Sequence, residues 1–176
     1  MGSISTGGIT GSGIMGSGLA EVAARAGFDV VVRSRTQAGA DAVLHGIDAG
    51  LTKQVSRDKL TDDERHAILG RISVTDDLHD LRDCDLVIES IVEDMAAKRD
   101  LFEHLDRIVK PDAILATNTS TLAVVELAMT TERPDKVCGI HFFNPAPMMK
   151  LVEVIKPLTA ADDSITAALG FVEACG

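Results

Sequence analysis

Gly11-Ser12-Gly13-Ile14-Met15-Gly16 has the spacing G-x-G-x-x-G. It sits between a short extended segment ending at Gly11 and an Ala-rich stretch, Ile14 to Ala26, that has helical spacing and is closed by Gly27. The first glycine permits a tight turn, the second lets a pyrophosphate approach the backbone, and the third lets the helix pack closely on the strand. The helix start, with Ile14 and Met15 in its first turn, offers free N–H groups and partial positive charge to phosphates. A Gly-rich turn alone also arises for packing. Here a strand, Val30-Val31-Val32, follows the helix, and the whole unit predicts dinucleotide binding.

The segment before the turn, Ser5-Thr6-Gly7-Gly8-Ile9-Thr10, is polar and Gly-rich, whereas a central parallel strand normally reads as apolar and β-branched. A weakly specified first strand is expected. Downstream, Gln37 to Val55 is helical, and Thr61 with Glu64 three residues on forms a capping box that opens another helix. Strands are expected over Ile72 to Thr75, Asp85 to Ser90, Ala113 to Thr117, Val137 to His141 and Leu151 to Ile155. Helices are expected over Asp94 to Lys110, stopped by Pro111, from Thr121, and over Asp162 to Ala174. Repeated β-α units predict a single α/β domain over residues 1–176, of the Rossmann type: a doubly wound, mainly parallel sheet covered on both faces. The turn around Pro145 and Pro147 is short enough for an antiparallel edge pair. Ligands in such sheets bind beyond the carboxyl ends of the strands.

Composition narrows the function. The 176 residues are 45% hydrophobic and 3% aromatic, with no Trp or Tyr, so the core must come from Val, Ile, Leu, Ala and Met. A formal net charge of -10 argues against a general nucleic-acid partner, which needs a basic face. Cys84, Cys138 and Cys175 show no CxxC or Cys/His metal spacing, so no metal is expected, and Cys84 and Cys138, beside apolar runs, are expected to be buried inert thiols. No leader segment is apparent at Met1, and no run approaches the ~18 apolar residues of a membrane span. A reducing cytoplasm is the expected location.

After the second strand, an Asp or Glu normally accepts hydrogen bonds from the adenosine ribose of NAD. The sequence reads Val32-Arg33-Ser34-Arg35-Thr36, with Ser34 where the acid is sought. Without the carboxylate a 2′-phosphate is no longer repelled. Arg35 and Arg33 are candidates to pair with it, and Ser34 and Thr36 to donate hydrogen bonds, so NADP(H) is favoured over NAD(H). The alternative is that the arginines are solvated and the site takes NAD without the carboxylate.

His141 ends a strand and Glu153 lies on the next, beyond the Pro-rich turn. If the strands pair, the carboxylate reaches the imidazole, fixes its tautomer and lets the ring pass a proton near neutral pH. Oxidising a secondary alcohol needs such a base and a hydride acceptor. Ser120, after the fifth strand, is placed to donate to the same substrate oxygen, and Asn118 to line the nicotinamide side. Each residue also has a plainer reading. Ser120 suits an N-cap for the helix from Thr121, and Lys98 lies in a charged helix where solvation suffices. Met148-Met149 suits packing under the Pro turn. His45, His66, His79 and His104 carry no assigned function.

Ile88-Glu89-Ser90-Ile91-Val92-Glu93-Asp94 with Lys98, Ala116-Thr117-Asn118-Thr119-Ser120-Thr121, and Gly139-Ile140-His141-Phe142-Phe143-Asn144-Pro145-Ala146-Pro147 through Ile155 resemble segments of the 3-hydroxyacyl-CoA dehydrogenases. The resemblance runs from about Gly8 to the C-terminus. It implies an oxidoreductase that transfers a hydride between NAD(P) and C3 of a short-chain 3-hydroxyacyl-CoA, such as 3-hydroxybutyryl-CoA. It implies catalytic roles for His141, Glu153 and Ser120, and places Glu93, Lys98 and Asn118 near the cofactor. It also implies that Asn144 supports the histidine and that Arg57 stands where the family has a CoA-contacting Lys. The family has a second, helical domain, with the dimer interface, much of the acyl-chain surface and an active-site Asn; Gly176 precedes where it would begin. The expected parent protein is a homodimer through that domain. Two other functions remain open: a dehydrogenase of a free hydroxy acid or sugar acid, and a cofactor-binding domain that is catalytically incomplete.

Overall fold

The structure is a computed structural model that describes residues 4–176; residues 1–3 of the expected domain, and of the N-terminus read for a leader, lie outside the described residues. The chain folds into one seven-stranded sheet of order β3-β2-β1-β4-β5-β6-β7. The strands are β1 (Thr6–Thr10), β2 (Asp29–Arg33), β3 (Ile72–Thr75), β4 (Leu86–Glu89), β5 (Ile114–Thr117), β6 (Val137–Phe142) and β7 (Val152–Ile155). β1 to β6 pair in parallel, and β7 runs antiparallel to β6, as the short Pro turn predicts. Strand order reverses between β1 and β4, which makes the crevice at their carboxyl ends the expected ligand site.

Among the described residues, six α-helices cover the sheet: α1 (Ile14–Arg25), α2 (Gln37–Val55), α3 (Asp62–Leu69), α4 (Met95–Ile108), α5 (Val124–Ala128) and α6 (Asp162–Cys175). Successive strand side chains point to opposite faces, so Val87 and Ile88 enter different apolar clusters. Ile88 joins Leu19, Val32 and Phe171 on one face; Val87 joins Phe102, Leu105 and Leu127 on the other. The capping box of α3 is formed, with Thr61 Oγ1 accepting from Glu64 N at 3.2 Å and Glu64 Oε2 from Thr61 N at 2.7 Å.

Two expectations change. β1 is more firmly specified than its composition suggests, because a Cβ on Gly8 would lie 3.0–3.1 Å from Leu81 Cδ2, Cys84 Sγ and Val87 Cγ2. The glycine is there to admit close neighbours. At the strand's start, Asp85 accepts from Ser5 N (2.8 Å), Ser5 Oγ (2.9 Å) and Thr6 N (2.9 Å). The helix expected from Thr121 begins only at Val124, with Ala123 at its N-cap and no side-chain cap bond, so Ser120 caps no helix. Thr119 Oγ1 instead accepts from Thr121 N and Leu122 N and holds the intervening turn.

Candidate active site

The Gly-rich turn carries the chain from β1 into α1. Gly11 has φ +122°, and a Cβ there would lie 2.2 Å from the Ser90 carbonyl oxygen. A Cβ on Gly16 would lie 2.0 Å from the Gly11 carbonyl oxygen, so the turn closes only on glycine at both positions. Gly13 differs: it is the N-cap of α1, lines the cleft, and has nothing within 4 Å of where its Cβ would be. No side chain caps α1. An open cradle beside unclaimed helix N–H groups fits a pyrophosphate.

From this turn a cleft of about 1060 Å³ extends across the carboxyl ends of the strands. Gly11, Ser12, Gly13, Ile14 and Met15 line it, with Gly16 buried directly behind them. Arg33 enters from the end of β2 and Arg35 from the turn after it, Leu78 from the turn after β3, and Leu101 and His104 from α4. Glu93 and Lys98 follow β4, Asn118 and Ser120 follow β5, and His141, Phe143 and Asn144 come from β6 and its turn. His104, to which the sequence suggests no role, thus borders the cleft.

His141 and Glu153 are in direct register between β6 and β7, and His141 Nδ1 lies 2.9 Å from Glu153 Oε2. β6 runs one residue further than expected, to Phe142, so His141 stands inside the strand. Its side chain is 16% exposed and that of Glu153 55%, so the pair sits where the cleft meets solvent. Phe143 packs against the imidazole, with ring centroids 4.5 Å apart. Asn118 Oδ1 accepts from Phe142 N at 2.8 Å and so ties the end of β5 to the residue beside His141. With Nδ1 donating to Glu153, Nε2 is left to exchange a proton.

Lys98 is 1% exposed, so the solvated reading of it does not hold. Its Nζ lies 2.5 Å from Glu89 Oε1 and 3.2 Å from Glu93 Oε2. Burial disfavours the charge of Glu93, but hydrogen bonds from Thr119 and Thr121 and the Lys98 charge outweigh it and hold the carboxyl below its ordinary range. Glu89, Thr117 and Thr119 are the residues that sequence reasoning passes over. A signal exists: Lys98, Leu101, Phe102 and Leu105 share the buried helical stripe of α4, and a lysine at the head of such a stripe must find a partner inside.

Ser34, Thr36 and the Met148-Met149 pair depart from expectation, and Arg57 stands outside the cleft. Ser34 is buried and donates to Ser12 Oγ at 2.9 Å; it stands behind Ser12 rather than lining the cleft. Thr36 is the N-cap of α2, its Oγ1 accepting from Gly39 N. Arg57 is exposed beyond the end of α2, away from the cleft. Met148 and Met149 are exposed rather than packed under the Pro turn, because Ala146 fills that place against Gly18 of α1. Cys84 and Cys138 are buried, Cys175 is half-buried, and burial pushes all three thiols up to about 12. Among the described residues, no group of three His, Cys, Asp or Glu is placed to hold a metal, and no helix is long and apolar enough to cross a membrane.

Comparison with known proteins gives a consistent picture. A family described as "3-hydroxyacyl-CoA dehydrogenase, NAD binding domain" matches residues 6–176. A 3-hydroxybutyryl-CoA dehydrogenase of Clostridioides difficile is 52% identical over 147 residues, which are 84% of this chain and 52% of that protein. A probable 3-hydroxybutyryl-CoA dehydrogenase of Deinococcus radiodurans is 47% identical over 157 residues, 89% of this chain and 56% of that protein. Among solved structures, a 3-hydroxybutyryl-CoA dehydrogenase of Escherichia coli K12 superposes with a TM-score of 0.96 at 37% identity, covering 99% of this chain and 37% of that one. The chain spans about half the length of the curated relatives it matches. With the Gly-rich turn, the cleft and the matched segments in place, the chain belongs to the 3-hydroxyacyl-CoA dehydrogenase family, within its NAD-binding domain.

Proposed function

We propose that this protein serves the oxidation and reduction of a short-chain 3-hydroxyacyl-CoA at C3, with His141 as acid and base. The observation that carries the reading is the His141–Glu153 bond at the mouth of the cleft that begins at the Gly-rich turn. Bound nicotinamide supplies the chemistry of a hydride acceptor in one direction and a hydride donor in the other. In oxidation His141 Nε2 takes the hydroxyl proton as the C3–O bond becomes a carbonyl. In reduction the imidazolium returns it. Glu153 holds the ring in the tautomer that leaves Nε2 free and balances the positive ring. Ser120 donates to the substrate oxygen, Asn118 keeps β6 in place through Phe142 N, and Asn144 supports the histidine's turn. The relatives' names point to a C4 acyl chain. Glu93 and Lys98 face the cofactor, the homodimer would form through a helical domain beyond this one, and the three unpaired thiols suit a reducing cytoplasm.

The cofactor is proposed to be NADP(H). No carboxylate stands at position 34, and Arg33 and Arg35 both line the cleft. Arg33 Nε donates to the Asp76 carbonyl at 3.2 Å, which orients its guanidinium and leaves both terminal nitrogens for a phosphate. Ser34 contributes through Ser12 rather than by direct contact.

The test is an assay of the intact gene product with acetoacetyl-CoA and NADPH, followed by loss of reduced-cofactor absorbance. Turnover of the CoA ester and none of the free acid is expected. Activity with a free hydroxy acid alone would sink the acyl-CoA reading.

A further inference from the structure

β4 reads Leu86-Val87-Ile88-Glu89, an apolar run whose last position carries a carboxylate with no exposed surface. β4 lies between β1 and β5, and Glu89 is in register with Thr10 on one side and Thr117 on the other. Burying an ionised carboxylate is costly unless its oxygens are satisfied. Here both are. Oε1 accepts from Ile91 N at 2.7 Å and from Lys98 Nζ at 2.5 Å, and Oε2 accepts from Thr117 Oγ1 at 2.7 Å.

These bonds reach two parts of the cleft wall. Lys98 is tethered by Glu89 within the fold and by Glu93 at the cleft, so two of its three N–H groups have fixed directions. The bond to Ile91 N fixes the turn Ser90–Val92, whose Ser90 carbonyl lies against Gly11. One buried carboxylate therefore joins the Gly-rich turn to the cleft lysine.

We propose that Glu89 is a positioning residue: its carboxylate, oriented by Thr117, holds the Lys98 ammonium and the Ser90–Val92 turn in one fixed relation to the Gly-rich turn, so that the remaining Lys98 N–H is presented to the dinucleotide. This deepens the reading above and rests on the cleft being a dinucleotide site. An apolar residue at position 89 would serve the core equally well but would leave Lys98 without its inner tether. A glutamine at position 89 keeps an acceptor for Ile91 N, so the charge that E89Q removes acts through Lys98, and its effect on binding should vanish when Lys98 is neutral.

The test is a double-mutant cycle on the whole 176-residue chain, with NADPH and NADH affinities measured by calorimetry and folding checked by circular dichroism. E89Q is expected to weaken binding about tenfold, K98M by a similar factor, and the double variant by no more than about twofold beyond either alone. T117V should weaken binding about threefold and T117S restore it, because only the hydroxyl orients Oε2. A folded E89Q that binds like the unsubstituted chain overturns the proposal. So do losses that multiply to about a hundredfold in the double variant, since independent effects multiply. If E89Q does not fold, the threonine pair decides: unchanged binding by T117V overturns the proposal, and loss restored by T117S supports it. No binding by the unsubstituted chain would overturn the cleft reading itself, a result distinct from binding that E89Q leaves intact.

Discussion

His141 on β6 and Glu153 on β7 face each other in register, Nδ1 to Oε2 at 2.9 Å, across an antiparallel strand pair at the sheet edge. Strand pairing sets that distance, so the ring enters the cleft already oriented. H141A should lower kcat by about 10²–10⁴-fold in the intact enzyme while leaving cofactor affinity within about twofold. E153Q keeps a hydrogen-bond acceptor but removes the charge, and should fall between the two. Steady-state kinetics with calorimetric cofactor titration checks both, and an H141A enzyme with ordinary kcat would remove the histidine from the chemistry.

Cofactor choice can be read separately. R35A should weaken NADPH binding about tenfold and hardly change NADH, because only the former offers a 2′-phosphate for a charged hydrogen bond. S34D should reverse the preference. Ser34 Oγ sits 2.5 Å from where a Cβ on Gly39 would lie, so space behind position 34 is short and a carboxylate must turn toward the cleft. Equal NADPH and NADH affinities in the unsubstituted chain would show that the arginines do not select.

The glycines of the turn should separate folding from binding. G11A places a Cβ 2.2 Å from the Ser90 oxygen in a backbone conformation of φ +122°, and should lower Tm by several degrees. G13A meets nothing within 4 Å and should fold normally, yet its methyl projects into the phosphate cradle and should abolish measurable dinucleotide binding. Thermal melts and titrations of the two variants check this; normal binding by G13A would move the pyrophosphate elsewhere.

Asp85 anchors the start of β1 and pairs with Lys110 at 2.5 Å. Burial opposes its charge, but the Lys110 ammonium and the Ser5 and Thr6 N–H groups prevail, so its folded carboxyl titrates well below the ordinary range. The unfolded carboxyl protonates near pH ~3.9, so the stabilisation is full above that value and is lost as pH falls through the lower folded value. D85N should cost about 1–2 kcal/mol at neutral pH, with solvent screening allowed for. The cost should shrink as the medium is acidified below pH ~4. Urea unfolding of both forms from pH 7 to 2.5 checks the sign; a difference that grows in acid would refute it.

Much of this was legible in the chain. The G-x-G-x-x-G spacing, the Thr61–Glu64 box, the bounds of α2 and β3, and the antiparallel edge are local: each depends on residues a few positions apart. His141 and Glu153 were also within reach, because a short turn between two strands leaves little choice of pairing. Other features needed the assembled fold. That Ser34 retreats behind Ser12, that Arg57 stands away from the cleft, and that Lys98 is buried between carboxylates follow from which elements become neighbours. β4 leaves its sequence neighbour β3 and inserts between β1 and β5, which brings Glu89 to Thr117 and encloses both from water. The sequence by itself determined the order of elements and the chemistry each carries, because propensity and spacing act locally. Only the tertiary structure decided which charges are buried together, because desolvation and pairing depend on neighbours that the chain brings in from far along its length.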